Sequence, residues 1–380
     1  MKRVNSLFLL LSMMVLASVP AVSQNVSKVL QPFVDSGELP GFVTVVAKAD
    51  KVLSMECLGY QDIAKNKKME PNSLFWIASQ SKPITGAAVM MLVDEGKLNL
   101  DEPITTYLPE LKDMKVSRVS RDSWQVTERV TKPITLRLLL THTSGMAWVA
   151  GIQERTSKID VLPFSLSLYA TAMTPLIAEP GEKFSYSNQS LNIAATIVER
   201  VSGMPYADFL QKRLFEPLGM TNTTFWPAGK QLDKLVIPYK LGKDGKLEET
   251  VIDQLQYPLD DRSKRFAEAA GGLFSTPVDL VKFYQMIANK GVFNGKRLLT
   301  ESSVSELGKD QTGENIKEPR GLGWAIADNW IGHGGAYGTD SRLYLKDGVI
   351  VMIYILQQDL PKYGEACQRF WKEVETKYHL

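Results

Sequence analysis

Hydrophobic and polar positions follow two different periods along this chain. Gly41-Phe42-Val43-Thr44-Val45-Val46-Ala47 is a run rich in β-branched residues and Val52 to Tyr60 is a second, with Lys48-Ala49-Asp50-Lys51 between them as the turn of a hairpin. The spacing then becomes helical. Ile84, Ala87, Ala88, Met91, Leu92 and Val93 recur at helical intervals up to the stop signal Glu95-Gly96. Ile104 to Pro109 reads as a short turn cut by proline, and Thr135 as the N-cap of a helix that begins near Ile134. Helical periodicity continues to about Trp226, with Leu191, Ala194, Ala195, Val198 and Val201 forming one apolar face that Gly203 ends.

Strands return late in the chain. Gly321 to Ile326, Ile331 to Gly335, Ser341 to Leu345 and Val349 to Leu356 form a meander with Asp347-Gly348 as a tight turn, and an amphipathic helix from about Lys362 to Tyr378 closes the chain. Early and late strands must pair to cover their edges. The pattern therefore predicts an α+β fold: an antiparallel β-sheet flanked by helices, built from residues 24–96 and 265–380, with an inserted all-helical domain over residues 97–264.

The length of 380 residues is ample for a large core, and a net charge of +2 without a basic block gives no reason to expect nucleic acid as a partner. Residues 1–23 read differently from the rest. Lys2-Arg3, an apolar run from Leu7 to Val19 and the small-residue pattern Ala21-Val22-Ser23 predict a cleavable signal peptide. The run falls short of the roughly 20 apolar residues of a membrane span, so a periplasmic or extracellular protein without a stable span is expected after cleavage. Cys57 and Cys367 are the two cysteines, too few for a multi-cysteine metal framework. Export permits a disulfide between them; two buried thiols are the other reading.

The chemistry-bearing stretch is Ser79-Gln80-Ser81-Lys82 at the mouth of the first long helix. Residues three apart on a helix are neighbours, at about 5–6 Å between Cβ atoms, so the lysine amine can reach the serine hydroxyl. Free N–H groups and the dipole of a helix start favour the negative charge that develops when a serine attacks a carbonyl. A plain N-cap at Ser79 with a solvated Lys82 is the structural alternative, weakened because a cation is the wrong sign for a first turn. Tyr186-Ser187-Asn188 follows the Pro180-Gly181 turn, where Tyr186 can carry a proton and Asn188 can bond Lys82 and a substrate amide, or where the segment simply caps a helix. In His333-Gly334-Gly335-Ala336 the two glycines admit a ligand close to the backbone, and His333 offers a donor or a switchable charge. A glycine-rich bulge is the alternative there.

With these pieces in this order, the chain resembles the serine β-lactamase and penicillin-binding protein superfamily over nearly all its length beyond residue 24. It is most similar to the class C β-lactamase-related esterase and D-aminopeptidase branch. Leu139-Leu140-Thr141-His142-Thr143-Ser144-Gly145 and Ala270-Gly271-Gly272-Leu273 are also similar to that family. The resemblance implies Ser79 as acylated nucleophile, Lys82 and Tyr186 as the proton-transfer pair, Asn188 as partner of lysine and substrate, and the N–H groups of Ser79 and Ala336 as oxyanion hole. It places His333 where the family's Lys-Thr-Gly strand has its lysine, and makes His142 a residue that ties a loop to the core.

The expected function is a cofactor-free, exported serine hydrolase acting through an acyl-enzyme on a small-molecule ester, a D-amino-acid peptide or a β-lactam. The loss of the lysine at position 333 speaks against efficient β-lactam hydrolysis. A non-hydrolytic binder or sensor of β-lactams or cell-wall peptides is the alternative from another class. Trp324 is expected to line the cleft, while Asp160, Glu179, Glu182 and Asp340 read as solvated surface charges.

Overall fold

The computed structural model describes residues 25–119, 125–154, 156 and 158–380, so residues 1–23, where a signal peptide is expected, lie outside the described residues. Early and late strands pair as the alternation demands. The large sheet runs in the order Ala325–Ile326, Trp330–Gly335, Thr339–Tyr344, Val349–Tyr354, Gly41–Lys48, Lys51–Asp62 and Lys67–Lys68, with every neighbouring pair antiparallel. Val45 opposes Met352 and Met55, so the first strand is central and the two ends of the chain meet there.

Period-two alternation on this central pair buries both faces. Val43, Val45, Ile350, Met352 and Tyr354 point into the main core with Ile84, Ala87, Ala88 and Met91 of the helix Ser81–Asp94. Phe42, Val46, Val351 and Ile353 point the other way and are covered by Val26, Leu30, Phe33, Phe370, Trp371 and Val374 from the two ends of the chain. The terminal helix spans Tyr363–Tyr378.

The inserted segment is not all helix. Lys115–Val119 pairs with Gln125–Arg129, and Tyr239–Leu241 pairs with Leu247–Glu249 and with Gln357–Gln358. The alternation in Lys115-Val116-Ser117-Arg118 is a strand signal too short to stand out beside the helical segments around it. Asp160 corrects the surface-charge reading as well: it is buried, pairs with the equally buried Arg265 at 3.2 Å and accepts from Gln256 N–H at 2.7 Å. Cys57 and Cys367 are both free thiols, and burial pushes the Cys57 thiol up to about 11.

Candidate active site

Ser79 lies in a single 3₁₀ turn, Ala78–Gln80, which runs directly into the helix Ser81–Asp94. Side chains at i and i+3 eclipse in such a turn, which stacks Ser79 over Lys82. Ala78 holds φ at +44°, a left-handed conformation that a non-glycine residue rarely adopts, so the chain turns sharply just before the serine. The surrounding structure enforces that turn. Ile77 N–H donates to Leu273 O at 3.0 Å, Ser81 Oγ donates to Ala78 O at 2.7 Å, and the Trp76 indole donates to Gly271 O at 2.7 Å.

Lys82 is fully buried, and its Nζ stands 3.0 Å from Ser79 Oγ, 3.0 Å from Asn188 Oδ1 and 2.8 Å from Ala270 O. Two of these partners are pure acceptors. An amine that has given up one proton has two N–H bonds and one lone pair; with Asn188 and Ala270 accepting the two N–H bonds, that lone pair would face the serine hydroxyl. That is the geometry of a general base for Ser79.

Asn188 begins the helix Asn188–Ser202, which Ser187 caps by accepting Ser190 N–H at 3.1 Å. Cap and site therefore coexist: Ser187 caps the helix while the next residue reaches the lysine. The Tyr186 ring lies with its centroid 4.6 Å from Lys82 Nζ and 4.4 Å from that of His142, and the His333 ring is 6.3 Å away. His142 Nδ1 accepts Ser187 N–H at 3.1 Å, and its carbonyl accepts Ser185 N–H at 2.7 Å. The histidine thus grips both sides of Tyr186 in the chain, and burial, with Lys82 nearby, keeps it neutral far below the ordinary histidine range.

The strand Trp330–Gly335 packs on the Ala78–Gln80 turn. A Cβ at Gly335 would run into Ile77 O and the Thr339 hydroxyl, so only glycine lets the strand come this close, and Ala336 follows directly. His333 is buried with Nδ1 2.6 Å from Gly334 O. Burial, followed by the charge of Lys82, pushes its imidazole down to about 3, so it is a neutral donor or acceptor and not the switchable charge the sequence suggested.

A model of the family described as Beta-lactamase matches residues 26–375. The chain belongs to that family of serine hydrolases. Protein Rv1367c of Mycobacterium tuberculosis is 34% identical over 305 residues, covering 79% of this chain and 74% of the relative. Esterase EstB of Burkholderia gladioli is 29% identical over 314 residues, covering 76% and 74%. Among solved structures, EstCE1, a hydrolase with promiscuous acyltransferase activity, superposes with a TM-score of 0.77 at 20% identity, covering 93% of this chain and 98% of its own. Simvastatin synthase LovD from Aspergillus terreus superposes at 0.76 with 20% identity, covering 93% and 98%, which shows the shared fold.

Ser79, Lys82, Asn188 and the Tyr186 ring meet in one place, and the strand ending in Gly334-Gly335 adjoins the serine turn. Trp324 does not join them. It is buried in the core, stacked on Phe283 at 6.0 Å and edge-on to Tyr284 at 5.4 Å, an apolar environment that takes up the indole.

Three contributors have no local pattern of their own. Ala270 acts through its carbonyl, invisible to side-chain reasoning, although its stretch was among those similar to the family. Arg320 is half-buried, lies over the Phe184 ring at 4.8 Å and leaves Nε without a hydrogen-bond partner among the described residues. Burial lowers its guanidinium from the usual range, with Tyr186 acting in the other direction. Glu268 is buried on the loop whose Ala270 carbonyl meets Lys82, and burial pushes its carboxyl up to about 7, with Lys82 acting in the other direction.

Proposed function

We propose that this family member is an exported carboxylic-ester hydrolase that works through an acyl-enzyme on Ser79. The observation that carries the reading is the 3.0 Å approach of Lys82 Nζ to Ser79 Oγ while Asn188 and Ala270 occupy the other two positions on the nitrogen. Ser79 Oγ attacks the carbonyl carbon as its proton passes to Lys82, and the carbonyl electron pair moves onto oxygen, where the N–H groups of Ser79 and Ala336 receive it. Collapse expels the alcohol, protonated by way of Lys82 and Tyr186. Water then attacks the acyl-enzyme by the same proton route in reverse.

A neutral His333 favours esters and uncharged amides over β-lactams, because a buried imidazole held down to about 3 supplies no fixed cation for a β-lactam carboxylate. The relative named Esterase EstB supports the ester class. Export is part of this proposal, on the strength of Lys2-Arg3, the apolar run and Ala21-Val22-Ser23.

The test is intact-mass analysis during turnover of p-nitrophenyl acetate, with nitrocefin and a D-Ala-D-Ala peptide in parallel. A transient acetyl adduct that maps to Ser79 and is absent from Ser79→Ala is expected. Unaltered hydrolysis by Ser79→Ala would end the proposal. N-terminal sequencing of protein recovered from the periplasm or medium checks the cleavage after residue 23.

A further inference from the structure

Glu268 is one of the most deeply buried carboxyls in the molecule, at 1% exposure. Its Oε1 accepts Asn192 Nδ2–H at 2.9 Å, and Asn192 Oδ1 accepts Ala269 N–H at 2.9 Å, so a single amide clamps the carboxyl to its own loop. Asn192 stands one turn along the helix from Asn188, the residue that bonds Lys82. The same loop delivers Ala270 O to Lys82 Nζ at 2.8 Å. Among the described residues Glu268 Oε2 has no hydrogen-bond partner: the N–H groups of Ala270 and Gly271 face the carboxylate and favour its charged form without closing a bond on that oxygen.

A buried acid with one idle oxygen costs stability unless something nearby uses its charge. The groups facing it are few. Lys82, from the helix Ser81–Asp94, favours the carboxylate. Tyr206, from the helix Tyr206–Leu210, keeps its phenol protonated and bonded to Thr85 Oγ1 at 2.7 Å, and the helix Asn188–Ser202 presents the uncharged Asn192. Arg265, on Glu268's own loop, is committed to Asp160 at 3.2 Å. Lys82 is thus the cation here without a carboxylate in direct contact among the described residues.

We propose that Glu268 is a positioning residue that supplies the counter-charge for Lys82, favouring the ammonium formed when the lysine takes the Ser79 proton. This deepens the hydrolase reading and rests on it. As the Ser79 O–H bond breaks and the Oγ–carbon bond forms, positive charge appears on Nζ in a fully buried site. A buried carboxylate fixed by Asn192, on the loop that gives Ala270 O to Nζ, stabilises that charge without contacting substrate.

Glu268→Gln keeps the side-chain volume and an oxygen for Asn192, so a purely structural role survives it. In wild type the acid limb of kcat/KM for p-nitrophenyl acetate reports loss of the free base. In Glu268→Gln that limb is expected to move to lower pH by about one unit, with kcat on the plateau down about tenfold. A profile superimposable on wild type overturns the proposal. A second measurement needs neither turnover nor a change at Glu268: ¹³C-carboxyl titration of glutamate-labelled protein, wild type against Lys82→Met. The carboxyl that titrates near neutrality should move upward by about one unit or more once the cation is gone. An unchanged midpoint overturns the proposal, and because this readout is independent of hydrolysis, failure of the enzyme reading and failure of the charge coupling are told apart.

Discussion

The His142 imidazole lies against the Tyr186 phenol with ring centroids 4.4 Å apart, while its Nδ1 accepts the N–H of Ser187. A histidine with φ of +60° in the middle of Thr141–Thr143 thus fixes the loop that carries Tyr186. His142→Phe keeps an aromatic face and removes the acceptor, leaving a buried N–H unpaired. A stability loss of about 1–3 kcal/mol is expected. A fall in kcat with little change in KM is expected as well, read from urea unfolding and ester kinetics on the same preparation.

Lys82→Met removes the base and retains bulk. General-base contributions of about 10²–10⁴-fold set the expected loss in kcat/KM for p-nitrophenyl acetate. A loss below tenfold would show that another group takes the serine proton.

Gly335→Ala puts a methyl group into Ile77 O and the Thr339 hydroxyl, so the strand must retreat from the serine turn. Misplacing one oxyanion donor costs about 10²–10³ in kcat. Gly334→Ala is the control, because a Cβ there meets nothing closer than 3.8 Å. Kinetics of the pair distinguish close approach from a general intolerance of bulk in this strand.

Stability should depend on pH through His333. Its folded value of about 3 lies below the ordinary value of about 6.5, so the unfolded chain binds a proton that the folded chain refuses. Stability is therefore lost as pH falls from about 6.5 toward 3, at up to about 1.4 kcal/mol per pH unit for this one group. His142 acts in the same direction. Glu268, raised to about 7 from an unfolded value of about 4.3, acts in the opposite one, since the folded chain holds its proton longer and stability declines as pH rises through that window. His333→Gln removes only its own contribution, so urea unfolding at pH 7, 5.5 and 4.5 should give a shallower acid decline than wild type.

Arg265→Ala removes the ion-pair partner of the buried Asp160. Breaking such a pair costs about 3–5 kcal/mol, so the thermal midpoint should fall well below that of wild type. The replacement of both residues by apolar ones should recover much of the loss.

Local chemistry alone determined the main strands of the large sheet, the caps and the candidate nucleophile. β-branched runs, Thr135 and Ser187 as caps, Gly203 as a stop and the Ser79-x-x-Lys82 spacing each act within a few residues, and each is visible in linear order. The pairing of Gly41–Lys48 with the late strand Val349–Tyr354 followed from the need to cover edges. Tertiary structure decided the rest, because charge and burial are set by neighbours distant in sequence. It made Ala270 a ligand of the lysine from 188 residues away, held His333 neutral, buried Asp160 with Arg265 and turned Trp324 into the core. It also buried Glu268 within the field of Lys82, since a carboxyl reads the same in a string of letters whether water or protein surrounds it.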